Sequence, residues 1–111
     1  MDQSSFRSVA PLLLLLLTVV VVGCATAPPV QEMSDARQAI AAAREAGAED
    51  LAPAGLAQAE ELLDGAEAQL EVGTSASYWQ AKKAAISAKE VAFEALLTSR
   101  DARDAAAGRS R

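Results

Sequence analysis

Two kinds of hydrophobic pattern divide this chain. From Val9 to Val22 the residues are apolar except for Thr18; from Ser34 onward apolar residues recur every three or four positions. The first run is 14 residues long. A helix needs about 20 apolar residues to cross ~30 Å of hydrocarbon, so this run is too short to span. Its length suits the core of a signal peptide, ~7–15 residues.

Beyond it the periodic pattern predicts three helices. Ser34 has the side chain of an N-cap, Asp35 is an acid in a first turn, and Gly47 is a stop. Met33, Ala36, Ile40 and Ala43 keep to one face between them, which places a helix over about residues 35–46. A second is expected over about residues 51–72, with Asp50 as cap, Pro53 in its first turn and Gly73 as its end. Leu56, Ala59, Leu63, Ala66 and Leu70 form its seam. Gly55 and Gly65 interrupt it, each costing about 1 kcal/mol relative to Ala, and Gly65 reads as tolerated or as a point of close helix approach. Ser77-Tyr78-Trp79-Gln80 has the form of a capping box, predicting a third helix over about residues 78–107.

The third helix carries two lines of side chains. Trp79, Ile86 and Phe93 fall seven apart, with Leu97 completing the line, and Trp79 reads as core at the start of a seam. Tyr78, Ala81, Ala85, Ala88, Ala92 and Leu96 form a neighbouring stripe of mostly small residues. About 30 residues at 1.5 Å each make ~45 Å, against ~33 Å for the second helix, so the end from Thr98 is expected to project. The fold class is all-α. A small three-helix antiparallel hairpin or bundle with a long C-terminal helix spans residues 33–108, followed by a tail, 109–111.

Composition sharpens this. The chain has 111 residues and 51% apolar content, but much of that lies in the first run. Residues 24–111 hold 26 Ala and only 16 larger apolar side chains, a thin core. With no His and one Cys, the chain cannot build an imidazole metal site, a Cys/His nucleophile pair or a disulfide framework. Carboxylate pairs such as Glu60/Glu61 and Glu49/Asp50 are solvated-face residues, since neighbours on a helix point about 100° apart. No enzyme activity, cofactor or metal is expected. The formal charge is −5, and an acidic exported chain does not suit nucleic acid. The charge is segregated: net −8 over residues 32–71 and net +3 over 72–111. That asymmetry favours an antiparallel pairing of the second and third helices.

The apolar run ends in Val21-Val22-Gly23-Cys24, which resembles a bacterial lipobox. The resemblance implies a lipoprotein signal peptide over residues 1–23, cleavage between Gly23 and Cys24, and acylation of the Cys24 thiol. A thiol is the strongest nucleophile available there; the alternatives are an ordinary secretory signal with a chance Cys, or an uncleaved anchor. Ala25 rather than Asp follows the Cys, which by resemblance to enterobacterial sorting implies the outer membrane, periplasmic face, over the inner membrane. Residues 24–32 then read as the lipidated Cys and a flexible tether, with Pro28-Pro29 favouring extended geometry.

A second resemblance covers most of Met33–Leu97. Ser-Asp-Ala-Arg-Gln-Ala-Ile, Ala-Gly-Ala-Glu-Asp-Leu-Ala-Pro and Leu-Ala-Gln-Ala-Glu-Glu-Leu-Leu, continuing through Gly73, Tyr78 and Ala81, resemble the uncharacterised bacterial lipoprotein family DUF 4398. That family commonly has a tighter turn with an acid before the Tyr, where this chain has Thr74-Ser75-Ala76-Ser77. The resemblance implies an envelope role and brings no catalytic residues. Two functional readings follow. One is a lipid-anchored structural or interaction protein that binds an envelope protein or a peptidoglycan-associated partner. The other is an accessory subunit or regulator of a cell-wall enzyme or envelope transport complex. The face around Tyr78, Trp79, Ala85, Ala92 and Leu96 is the candidate partner surface, filled by such a protein or by a second copy; the alternative is that the first helix fills it.

Overall fold

The two prolines at 28 and 29 set where regular structure begins. In the computed structural model, which describes residues 9–15 and 27–110, Pro29 is the N-cap of the first long helix, and the Met33 amide donates to its carbonyl at 3.1 Å. Helix α1 is Val30–Glu45, α2 a single turn, Ala48–Leu51, α3 Pro53–Val72, and α4 Ser75–Arg109. There is no strand among the described residues, so the chain is all-α. Residues 9–15 are also helical and exposed. The rest of the segment expected to be a signal peptide, with Gly23 and Cys24, lies outside the described residues.

Four expected boundaries move, each for a local reason. The first helix starts five residues before Asp35, because nothing after Pro29 resists helix; Val30–Glu32, expected in the tether, are helical and Ser34 is interior. The second helix is split. A proline has no amide to donate and disfavours α geometry in the residue before it, so Ala52 sits at φ −147° and ψ 53° and α3 begins at Pro53. Asp50 therefore lies within α2 rather than capping α3. The third helix starts one turn early. Its capping box is Thr74 with Ser77: the Ser77 amide donates to Thr74 Oγ1 at 3.0 Å, and the Thr74 amide to Ser77 Oγ at 2.8 Å. At the other end, Ser99 is fully buried and Arg103 reaches the α1–α2 corner at Gly47. The projecting part of α4 thus begins near Asp104, not Thr98.

Gly47 and Gly73 end α1 and α3 as expected. Both adopt left-handed φ, 91° and 76°, a conformation that costs a side-chain-bearing residue strain. Ion pairs show how the helices run. Glu32 and Asp35 meet Lys82 and Lys89, so α1 and α4 are parallel; Arg37 meets Glu67 and Arg44 meets Glu60, so α3 runs against α1. The α1 start and the α3–α4 turn share one end of the bundle, here the base.

The core is built from alanine. Among the described residues of the helices, every buried apolar residue apart from Met33, Ile40, Leu56 and Leu96 is Ala. The α4 stripe Ala81, Ala85, Ala88, Ala92, Ala95 lies inside and packs against α1 and α3. The expected seam does not: Trp79, Ile86, Phe93 and Leu97 are 57%, 40%, 43% and 56% exposed. Methyl-sized contacts let helix backbones approach, and a line of large side chains would force them apart along the whole interface. At Gly55 the fit is tight, since an added Cβ would stand 3.2 Å from Ala95 Cβ, while Gly65 faces open space.

Gly65→Ala should therefore stabilise the domain by about 0.5–1 kcal/mol through helix propensity alone. Gly55→Ala should lose that gain to crowding against Ala95, and Ala92→Leu should destabilise by about 1–3 kcal/mol through overpacking. Urea denaturation followed by circular dichroism measures all three; a stabilised Ala92→Leu variant would contradict the alanine interface.

Candidate functional site

Two surface features could engage another molecule, and both involve Trp79. The first is the exposed line of α4. Trp79, Ile86, Phe93 and Leu97 stand on one side of that helix with Lys83 and Glu90 between them, and both charged residues are exposed. The neighbouring Lys82 and Lys89 turn toward α1, where they pair with Glu32 at 3.7 Å and Asp35 at 4.0 Å. Lys83 and Glu90 make no ion pair among the described residues.

The second feature is a shallow cleft of about 340 Å³ at the base. Pro28 and Pro29 form one wall, Tyr78 and Trp79 the other, with Glu32 and Lys82 between. Pro29 is buried, so the incoming chain is held against the bundle up to that residue. The Lys82 ammonium stands 6.0 Å from the centroid of the Trp79 ring, at the outer limit of a cation–π contact. Tyr78 is half-buried and its hydroxyl lies beside Gly73. Val72, the last residue of α3, is 62% exposed at the same end.

The candidate partner face read from the sequence is divided by the fold. Ala85 and Ala92 are fully buried and Leu96 nearly so, all within the chain's own core, Ala85 beside Met33 and Ala36 and Ala92 beside Ile40 and Ala43. Helices α1 and α3 together cover that stripe. Of the five residues, Trp79 is exposed and Tyr78 partly so. The surface missed from sequence is the line Ile86, Phe93 and Leu97. Its signal is present in the sequence, since two apolar stripes on one helix need two neighbours, but side-chain size does not say which of them is the inner one.

The carboxylates are spread over the surface. Glu60 accepts from both Nε and Nη2 of Arg44, Glu61 is exposed beside it, and Glu49 and Asp50 are exposed on α2. No group of three or more His, Cys, Asp or Glu that could hold a metal occurs among the described residues. No helix among them is long and apolar enough to cross a membrane. No family model, curated protein or solved structure matches the chain.

Because the α4 line is more exposed than the alanine core, Phe93→Ser and Ile86→Ser should each lower unfolding free energy by no more than about 1–1.5 kcal/mol, the share expected for side chains about half covered. A loss above ~2 kcal/mol in chemical denaturation would mean that this side of α4 is covered within the folded chain.

Proposed function

We propose that this chain is a lipid-anchored helical interaction protein of the bacterial envelope, held at the periplasmic face of the outer membrane by acylated Cys24 and free of catalytic activity. The observation that carries this reading is the sequence of the N-terminus: a 14-residue apolar core running directly into Val21-Val22-Gly23-Cys24, with the chain's one cysteine at the cleavage position. Two or more acyl chains suffice for stable anchoring, each buried CH₂ contributing about 0.8 kcal/mol. The resemblance to the DUF 4398 lipoproteins points the same way.

The exposed α4 line is the surface offered to a partner, and its charges bear on which kind. Two copies anchored in one membrane must stand parallel. That would set Lys83 against Lys83 and Glu90 against Glu90 in the midst of the apolar line, a repulsive arrangement. An antiparallel pair crossing near Ile86 would match Trp79 with Phe93 and bring Lys83 within one residue of register with Glu90. It would also carry one copy's anchored end away from the membrane holding the other. A different envelope protein, or a peptidoglycan-associated one, therefore suits this face better than a second copy.

Radiolabelled palmitate should enter the wild-type protein in cells and be absent from Cys24→Ser; labelling that survives the substitution would end the lipoprotein reading. Fractionation should place the protein with the outer membrane, and recovery with the inner membrane would overturn the sorting assignment. Photo-crosslinkers at Ile86 and Phe93 should capture a different protein, whereas adducts only of doubled mass would favour self-pairing.

A further inference from the structure

We infer that the base of the bundle, formed by Val72, Tyr78 and Trp79 with Lys82 and Lys83 beside them, rests on the lipid surface, with the Trp79 indole in the headgroup layer and α4 leading away from the membrane. The inference rests on the proposed acylation of Cys24 and adds an orientation to it.

Chain length supplies the first constraint. Three residue steps separate Cys24 from Ala27, and a chain spans at most ~3.6 Å per residue, so Ala27 lies within about 11 Å of the lipidated residue. Ala27 lines the same cleft as Trp79, and the buried Pro29 fixes this part of the chain to the bundle. The end of the domain that carries Trp79 is thus the end that must lie nearest the bilayer.

The chemistry of that end is the second. Trp and Tyr favour the membrane–water interface, where a flat apolar ring and a polar edge are both accommodated. Trp79 and Val72 are 57% and 62% exposed there. Lys82 and Lys83 can reach anionic headgroups by extending their apolar stems; Glu32 already pairs with Lys82, and Glu71 is a further exposed acid near the end of α3.

Charge further along α4 argues for standing over lying flat. At 3.6 residues per turn, Glu90, Asp101 and Asp104 fall within about 40° of the Trp79 direction, and all three are exposed, as is Glu94. Laying the whole line of Trp79, Ile86, Phe93 and Leu97 on the membrane would press these four acids, against only Lys83 and Arg100 on the same side, toward anionic headgroups. Resting on the base keeps them in water.

Trp79 is the chain's single tryptophan, so its fluorescence reports its own depth. The full chain, expressed in a bacterial host and purified from membranes, is first weighed by mass spectrometry for acyl groups on Cys24. It is then reconstituted in vesicles of phosphatidylethanolamine and phosphatidylglycerol carrying bromine on their acyl chains. Trp79 emission should shift to the blue and fall about two-fold relative to unbrominated vesicles, as an interfacial indole would. A matched variant, Trp79→Phe with Phe93→Trp, moves the indole about 21 Å along the helix and should show neither change. Acylated protein with unshifted, unquenched Trp79 overturns the inference while leaving the anchor in place. Equal quenching at both positions overturns it in favour of a flat orientation. Protein without acyl mass overturns both the inference and the anchor reading beneath it.

Discussion

Close approach of helix backbones is the constraint on which this fold depends. The buried stripe of α4 is a ladder of methyl groups, Ala81, Ala85, Ala88, Ala92 and Ala95, answered by Ala36, Ala39 and Ala43 on α1 and by Ala59 and Ala66 on α3. Each contact is small, but methyl ladders allow backbone atoms near one another over many turns, and dispersion accumulates along that length. The same geometry excludes large side chains from the interface. Met33, Ile40, Leu56 and Leu96 occupy the places where three helices leave more room than a methyl fills. The large residues of α4 are therefore outside because the small ones are inside.

This inverts the usual weighting of a hydrophobic pattern and explains what was legible in the sequence. Helix content followed from propensity, and the ends at Gly47 and Gly73 followed from residues that tolerate left-handed φ. The two stripes of α4 were both visible at the correct spacing. Their assignment was not, because apolar size ranks Trp79, Ile86 and Phe93 above alanine, while close packing ranks them below. Local chemistry misled in the same way at the starts of helices. Ser34, Asp50 and Ser77 are all N-cap types, yet each lies inside a helix. A cap is fixed by where the chain must change direction, and here Pro29, Pro53 and the Gly73–Thr74 turn decide that.

Electrostatics then organises around α1. The sequence segregates acid and base into halves, which suggested that α3 and α4 attract one another directly. Among the described residues the cross-helix pairs instead all involve α1: its acids Glu32 and Asp35 take lysines of α4, and its Arg37 and Arg44 take acids of α3. These pairs are exposed, and each contributes only ~0–1 kcal/mol. Their effect is on register. Shifting α1 by one turn along its neighbours would break pairs on both sides at once, something a uniform alanine ladder would resist poorly by itself.

Parallel running of α1 and α4 has a consequence for the exposed surface. It brings the incoming chain and the start of the longest helix to the same end, so α4 rises from the base for 35 residues, about 52 Å at 1.5 Å each. In the orientation proposed above, its apolar line would stand perpendicular to the membrane. Under that proposal, a partner covering Ile86, Phe93 and Leu97 would itself stand up from the membrane or reach across to it, and would answer Lys83 with an acid and Glu90 with a base in that order. A helix running beside α4 meets this requirement more readily than a flat sheet, because two helices keep contact along their length while a twisted sheet diverges from a straight rod.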